Sequence, residues 1–374
     1  MKTRIVQVSA SHVQFLQKRG AHPYDNPTVK LQEPTAAHVQ AAADQLKLGD
    51  LVAFPTETVY GLGANATQTD AVAKIYKAKG RPSDNPLILH VASLAQLRLL
   101  CPAGWPSVYD ALIDQYWPGP LTLIIPLPEG SAISPLCTAG QSTFAVRMPE
   151  HKIALALIAS AGVPLAAPSA NASTRPSPTS AAHVMHDLEG RVPLILDGGS
   201  AQVGLESTVV DGTCSPPVIL RPGGISLEQI RKIDGWQDTR VYQKASIDAS
   251  DAEVPRTPGM KYRHYSPTAR VVLFETYTGD LEQRMRECIG DIPSDQVAVL
   301  RSQSWPASLS ESLKCRDYEL GKTLPQVSRN LFGLLRECDE RDMSLVLVEG
   351  VQEANEGLAV MNRLRKAASL VISD

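Results

Sequence analysis

The alternation of strand-like and helix-like segments is the sequence feature that most limits the possible folds. In the last third of the chain, apolar runs such as "RVVLF", "VAVLR" and "LVLVE" alternate with amphipathic segments such as "LPQVSRNLFGLLRECDE". Short aliphatic runs separated by segments of helical periodicity are typical of parallel βα units. We therefore predict a small parallel α/β domain over residues 269–374.

The preceding part of the chain also mixes helices and strands, but its strands crowd towards its end. Helical patterns cover residues 35–48, 69–80 and 152–162. The runs "VPLILDGG", "ESTVVDG" and "PVILRPGG" then follow one another at short spacing, and we expect them to be neighbouring antiparallel strands. This pattern favours a mixed α/β sheet over a purely parallel one.

Composition and charge narrow the function classes. The chain has 374 residues, 43% of them hydrophobic and 20% charged, and a net charge of −3, so no strong overall field attracts nucleic acid or a membrane. Its six cysteines form no CxxC pair, which argues against zinc or redox motifs. Neither a signal peptide nor a transmembrane run is evident, and we predict a cytoplasmic protein that contacts no membrane.

Several familiar catalytic motifs are incomplete in this sequence. "GKT" at 321–323 lacks the glycine that a phosphate-binding P-loop requires five positions earlier, and "GLG" at 61–63 lacks the third glycine of a dinucleotide fingerprint. No G-x-S-x-G nucleophile motif is present. "HVMH" at 183–186 is interpreted as a pair of surface histidines, and we predict no metal site.

Positive charge is concentrated in "YKAKGRPSDNPLILH", residues 76–90. Lys77 and Lys79 can be explained by the negative end of a helix dipole, an interaction worth roughly 0.3–1 kcal/mol. Arg81, however, follows the glycine that ends the predicted helix, and "SDNP" adds short polar groups in a proline-constrained loop. These two details favour an anion site over a purely structural role.

Small polar residues and further arginines follow other predicted strands. The hydroxyls of "APSANASTRPSPTS" fit either a capped loop before a helix or the lining of a crevice at the carboxyl ends of strands. Ordinary turn chemistry explains "TET" at 56–58 about as well as a site does. Because this set contains no nucleophile–base pair, it indicates binding of anions and polar small molecules, with catalysis by positioning and charge neutralisation.

Taken in order, these motifs resemble a known family. "FPTETVYGLG", "KGRPSDNPLILH", "PSANAS", "ESTVVDG" and "RPGG" are similar to the YrdC-type threonylcarbamoyl-AMP synthases, and "TPGMKYRHYSP" and "EGLAVMNRLRKAAS" to the linker and C-terminal domain of their long, two-domain form. The resemblance covers about residues 35–374. It implies an α/β fold with a YrdC-like twisted, mixed open sheet and flanking helices at 35–235, a lid-forming linker over the active site at 236–268 and a Rossmann-like domain at 269–374. Residues 1–34 are predicted to be an extension with one short strand, outside the resemblance.

The family's activity implies a reaction and its partners. L-Threonine and bicarbonate would give N-carboxy-threonine, whose carboxylate attacks the α-phosphate of ATP and releases pyrophosphate. A separate tRNA threonylcarbamoyltransferase would then modify adenosine 37 of tRNAs that read ANN codons, so tRNA is only an indirect partner. Mg²⁺ would arrive as the companion of ATP.

The resemblance also implies roles for individual residues. Lys79 and Arg81 would be the catalytic cations. Threonine would be held by Thr58, His90, Arg147 and Ser207. The paired N–H donors of Arg147 would bind the substrate carboxylate, and His90 would hydrogen-bond the substrate hydroxyl. ATP would be held by Arg81, Asn85, Thr143, Ser169, Asn171, Thr179, Arg221 and Tyr265. Tyr265 and its neighbours would close as a lid that excludes water from a hydrolysable product.

The sequence departs from the family pattern at one loop, and two other functions are considered as alternatives. The family usually carries Ser-Gly where this chain has Ser173-Thr174, so the loop leading to Thr179 can take a different path. The main alternative is a double-stranded RNA or tRNA-binding module without its own catalysis, against which the net charge and the lack of aromatic RNA platforms argue. A carbamoyltransferase of hydrogenase maturation shares this kind of domain but requires further domains that we do not find in this sequence.

Overall fold

The computed structural model describes residues 1–16, 23–242 and 264–374. These residues fall into two units. Unit 1 contains most of the chain up to residue 242, and unit 2 contains residues 264–374 together with the short segments Thr174–Ser177 and Val203–Leu205. Within the described residues, no helix has the length and apolar character that crossing a membrane requires.

Unit 1 is built on a mixed sheet. Its strands are β1 (Arg4–Gln7), β2 (Val13–Leu16), β3 (Thr28–Leu31), β4 (Val52–Phe54), β5 (Gly61–Asn65), β6 (Ile88–His90), β7 (Leu121–Pro126), β8 (Thr143–Arg147), β9 (Leu165–Ala166), β10 (Leu194–Asp197), β11 (Thr208–Asp211), β12 (Val218–Arg221) and β13 (Arg240–Val241). All but β2 and β3 form an 11-stranded sheet in the order β1-β10-β4-β5-β9-β6-β8-β7-β11-β12-β13. Parallel and antiparallel pairs both occur in it, which confirms the predicted mixed α/β class.

Helices cover this sheet. They are α1 (Thr35–Lys47), α2 (Thr69–Lys79), α3 (Leu94–Leu100), α4 (Asp110–Tyr116), α5 (Pro135–Thr138), α6 (Lys152–Ala161), α7 (Ala181–Leu188) and α8 (Leu227–Ile230). The helix α2 ends as its sequence predicts, because Gly80 adopts the left-handed conformation (φ 62°) that other residues avoid. Apolar side chains from these helices and from the strands form one large core, and β4 and β10 contribute consecutive residues to it.

The expected antiparallel group of late strands forms only in part. Strands β11 and β12 do pair antiparallel. Strand β10 instead lies at the other end of the sheet, parallel to both β1 and β4. Short spacing in the sequence therefore misplaced β10, because the loop at residues 198–207, which contains no helix, joins it to β11 instead of a hairpin turn.

The N-terminal segment contains more structure than the predicted single strand. Strand β1 extends the main sheet through four paired residues with β10. Strands β2 and β3 form a separate antiparallel hairpin. Residues 1–16 and 23–34 therefore take part in the fold of unit 1.

The start of the predicted linker also packs into unit 1. Trp236 is fully buried, donates from its indole nitrogen to the Val108 carbonyl oxygen at 2.9 Å and contacts the Tyr109 ring. Strand β13 pairs parallel with β12. Residues 243–263 of the predicted lid lie outside the described residues, and residues 264–268 belong to unit 2.

Unit 2 is a parallel α/β domain. Its strands are β14 (Arg270–Phe274), β15 (Val297–Arg301), β16 (Arg316–Glu319), β17 (Leu345–Glu349) and β18 (Leu370–Ile372), and its helices are α9 (Leu281–Ile289), α10 (Ala307–Leu313), α11 (Leu324–Glu340) and α12 (Gly357–Ala367). The strand order is β16-β15-β17-β14-β18, and every pair is parallel. The predicted parallel α/β class of this region is confirmed.

Candidate active site

One side of the main sheet carries a small apolar cluster that is separate from the large core. The cluster consists of Ile88, Ile124, Ala145, Val209 and Leu220. Because side chains alternate along a strand, residues two positions from these members face the same side. That side therefore carries His90 on β6, Thr143 and Arg147 on β8, and Thr122 on β7.

Arg147 is the centre of a buried polar network on this side. Strands β6 and β8 are parallel, and their register places His90 opposite Arg147. The guanidinium donates from Nη1 to Glu57 Oε1 at 2.6 Å and from Nε to His90 Nε2 at 2.9 Å. Its Nη2 donates to the hydroxyls of Thr58 at 2.9 Å and Thr56 at 3.2 Å. The loop after β4 is thus tied to the ends of β6 and β8 through one cation.

His90 is held as a neutral ring by its two contacts. Nδ1 lies 3.1 Å from the carbonyl oxygen of Ile88, and Nε2 accepts from Arg147, so the proton belongs on Nδ1. Burial, followed by the positive charge of Arg147, lowers the pKa of His90 well below its usual range. A direct hydrogen bond from His90 to a threonine hydroxyl therefore requires one of these contacts to break.

Lys79, the last residue of α2, is almost fully buried. Its Nζ donates to the backbone carbonyl oxygens of Ser169 and Asn171, each at 2.5 Å. Ser169 also bridges to Gly61 at the start of β5. The ammonium group thus lies against the loop that follows β9, where the predicted catalytic Lys79 meets Ser169 and Asn171 of the predicted ATP site.

Arg81 lies just past the end of α2, as predicted, but it is partly buried rather than fully exposed. It donates from Nε to the Asn85 carbonyl oxygen at 3.3 Å and from Nη2 to that of Pro86 at 3.0 Å. The Tyr76 hydroxyl also donates to the Asn85 carbonyl at 3.1 Å, and burial is the main cause that raises the pKa of Tyr76 to about 12. The loop 81–86 is therefore fixed by its own side chains.

Ser207 and Arg221 form another buried pair. Arg221 Nη2 donates to the Ser207 carbonyl at 2.9 Å and to its hydroxyl at 3.1 Å, and the Thr122 hydroxyl lies 2.7 Å from the same hydroxyl. Gly223 permits this close packing, because a Cβ there would lie 2.3 Å from the Glu206 carbonyl oxygen. Ser207 is thereby oriented from two sides.

The remaining predicted residues make other contacts. Thr143 begins β8 opposite Pro126. The Thr179 backbone N–H donates to His183 Nδ1 at 3.2 Å. Tyr265 belongs to unit 2, where its ring stacks on Phe332 at 5.2 Å between centroids and the Arg363 guanidinium lies 5.5 Å from its centroid.

Three residues that the motifs did not indicate, Glu57, Thr56 and Thr122, contact candidate site residues. Glu57 and Thr56 contact Arg147, and Thr122 contacts Ser207. For Thr56 and Glu57 the available signal was the position of "TET" directly after a buried strand, a pattern that turn chemistry explains about as well as a site does. In the described part of the chain, no three His, Cys, Asp or Glu side chains are grouped as metal ligands.

Comparisons with known proteins identify the family. A family model described as telomere recombination matches residues 44–223, and one described as the threonylcarbamoyl-AMP synthase C-terminal domain matches residues 225–369. A threonylcarbamoyl-AMP synthase of Schizosaccharomyces pombe is 48% identical and covers 99% of this chain and 98% of its own length. One from Pyrococcus abyssi is 46% identical over 88% of this chain and 94% of its own length.

A solved structure extends the comparison to three dimensions. The crystal structure of Pyrococcus abyssi Sua5 complexed with L-threonine is similar to this chain with a TM-score of 0.81 and 41% identity, over 99% of this chain and 100% of that one. Such coverage also corrects the expectation that residues 1–34 lie outside the resemblance. The chain belongs to the threonylcarbamoyl-AMP synthase family in its two-domain form and is accordingly a nucleotidyltransferase.

Proposed function

We propose that this chain forms L-threonylcarbamoyl-AMP from L-threonine, bicarbonate and ATP, with release of pyrophosphate. The observation that carries the proposal is the 48% identity to a threonylcarbamoyl-AMP synthase along nearly the whole chain. The related Pyrococcus abyssi structure contains L-threonine, which supports the same substrate here. Membership of a synthase family argues against the alternative of an RNA-binding module without catalysis.

The threonine site is proposed to lie around Arg147, on the side of β6 and β8 that carries His90 and Arg147. Arg147 would bind the substrate carboxylate through the Nη1 N–H that Glu57 does not use and through Nη2, which would release the hydroxyl of Thr56 or Thr58. Paired N–H donors match the two oxygens of a carboxylate. Thr58, His90 and Ser207 would complete this site. All four side chains are almost fully buried, so the interactions would act in a water-poor environment where they are strong.

The triphosphate is proposed to lie against the cations at the end of α2. Lys79 and Arg81 would neutralise charge that accumulates on the pyrophosphate as the carbamate oxygen attacks the α-phosphorus and the bridging P–O bond breaks. Asn85, Thr143, Ser169, Asn171, Thr179 and Arg221 would hold the rest of the nucleotide. Mg²⁺ would enter with ATP as part of the substrate, and the chain's own residues would act by positioning and charge.

We propose that the chain divides into an N-terminal extension at 1–34, a catalytic domain at 35–235, a lid at 236–268 and a C-terminal domain at 269–374. The packing of Trp236 and β13 into unit 1 supports a later start for the lid, after residue 242. Tyr265 would contact the nucleotide when the lid closes. The proposed product would pass to a tRNA threonylcarbamoyltransferase in the cytoplasm, and tRNA would be involved only through that enzyme.

Pyrophosphate release tests the proposed reaction. We expect release from ATP only when L-threonine and bicarbonate are both present, because the carbamate that attacks phosphorus forms from the two. L-Serine should be a poorer substrate, since a missing methyl group costs about 1–3 kcal/mol of binding in an apolar pocket. ATP turnover that is indifferent to threonine would overturn the proposal.

A further inference from the structure

Glu57 holds a buried carboxylate oxygen without a hydrogen-bond donor. Its side chain is 4% exposed, and Oε1 accepts from Arg147 Nη1 at 2.6 Å. Among residues 1–16, 23–242 and 264–374, no group donates to Oε2. Because an unsatisfied buried carboxylate oxygen is costly, native proteins keep one mainly where a ligand or a functional group completes it.

The charges of the proposed threonine site suggest which ligand group is missing. Threonine enters as a zwitterion, with a carboxylate and an ammonium group one carbon apart. Of the four side chains proposed to hold it, Arg147 alone is charged, since His90 is neutral. That set matches the carboxylate and leaves the ammonium group without a counter-charge, whereas the adjacent pair of Arg147 and Glu57 matches both charges of the substrate.

Position supports the same pairing. The two oxygens of one carboxylate are neighbours, so Oε2 lies beside the oxygen that already contacts the Arg147 guanidinium. An amino acid whose carboxylate docks on Arg147 therefore presents its α-nitrogen within reach of Glu57. Thr56 and Thr58, on either side of Glu57 in the chain, hold the same guanidinium and fix the loop that carries the carboxylate.

We propose that Glu57 binds the α-ammonium group of threonine through Oε2 and so selects amino acids over carboxylates that lack the amine. This inference rests on the proposed function, because it assumes that threonine is the substrate. It adds a substrate-binding residue that the motifs did not supply. The competing explanation is that Glu57 serves only to orient Arg147.

The test compares two ligands on two proteins. L-Threonine and (R)-3-hydroxybutanoate share the carboxylate, hydroxyl and methyl groups, and the second lacks the amine. Calorimetric titration gives the dissociation constants of both for the wild type and for Glu57→Gln, which keeps the acceptor for Arg147 and removes the charge. We expect Glu57→Gln to weaken threonine binding by roughly five- to tenfold and to leave hydroxybutanoate binding within about threefold, since hydrogen bonds to charged groups are roughly twice as strong as neutral ones.

A matched control removes a different nearby carboxylate. The Glu150 residue is exposed, although its carboxyl group is partly desolvated. This desolvation, followed by the charge of Glu57, raises the pKa of Glu150. Glu150→Gln should leave the preference for threonine unchanged. If Glu57→Gln does not fold, Glu57→Asp provides the same comparison, because it withdraws the carboxylate by one methylene and should also lose the preference.

The outcomes separate the hypotheses. An equal loss for both ligands in Glu57→Gln would show that Glu57 acts only through Arg147 and would overturn the inference. No loss for either ligand would overturn it as well. If the wild type fails to bind threonine at all, the proposed function is wrong, and the inference is wrong with it.

Discussion

Replacing Arg147 by methionine should destabilise unit 1 as well as abolish catalysis. Methionine has a similar length and fills the apolar part of the site, but it removes the guanidinium from Glu57, His90 and the two threonine hydroxyls. Glu57 would then remain buried, with its side chain 4% exposed and its charge unpaired. The loss of one partner is the unfavourable case for a buried ion pair.

The expected size of the effect follows from the burial of this pair. Removing one member of a buried pair costs about 3–5 kcal/mol, against about 0–1 kcal/mol for a surface pair. Each kcal/mol shifts the melting temperature of a domain of about 150–250 residues by roughly 2–4 °C, so we expect a fall of about 6–20 °C. The double variant Arg147→Met/Glu57→Gln should recover part of this loss, because the residue left behind is neutral.

Differential scanning calorimetry measures the effect, and Arg98→Met is the matched control. Arg98 pairs with Asp25 at 2.5 Å in the same unit, but its side chain is 53% exposed. That variant should melt within about 4 °C of the wild type. If Arg147→Met melts at the same temperature as the wild type, or no lower than the double variant, the buried network does not contribute to stability as its geometry requires.

Three further predictions concern ATP binding, the domain boundary and pH. Arg81→Ala should remove ATP-dependent pyrophosphate release while lowering the melting temperature by only a few degrees, because Arg81 is half-buried and holds carbonyls of its own loop; a collapse in melting temperature would indicate a structural role. Truncation after Tyr242 should leave a folded but weakly active enzyme, and full activity of this variant would refute the lid. Truncation after Gly235 also removes the buried Trp236, whose loss costs about 3–5 kcal/mol of folding free energy, so this variant should melt at a lower temperature. Burial lowers the pKa of His151 to about 4, so the unfolded chain binds more protons than the folded chain between about pH 6.5 and 4, and stability should fall as the pH drops through that window. His151→Gln should reduce the change in urea midpoint between pH 7 and pH 5, and the same change in the variant as in the wild type would contradict this.

Local signals carried much of the fold. Gly80 marked the end of α2, and the apolar runs after residue 269 marked parallel strands because strands buried on both faces are nearly continuous in apolar residues. Strands at the edge of a sheet were not predicted in this way, because they lack a continuous apolar run. Strand β16 (Arg316–Glu319) is mostly polar and exposed because it lies at the edge of its sheet, where charged side chains are common.

Long-range contacts account for what the sequence did not reveal. The position of β10 depends on pairing with β1, which lies far away in the chain and whose polar surroundings resembled a simple extension. Strand β13 has only two residues and no readable periodicity. Glu57 could be interpreted as a turn residue until the ends of β6 and β8 brought Arg147 to it, since ion-pair partners leave no pattern in one sequence.

A crystal structure of the chain with L-threonine and a non-hydrolysable ATP analogue would measure most directly how the two substrates are held. We expect the threonine carboxylate to lie within hydrogen-bonding distance of Arg147, its ammonium group beside Glu57, and the phosphates against Lys79 and Arg81. If both ligands bind elsewhere, or if these cations point away from a shared cavity, the proposed active site is wrong.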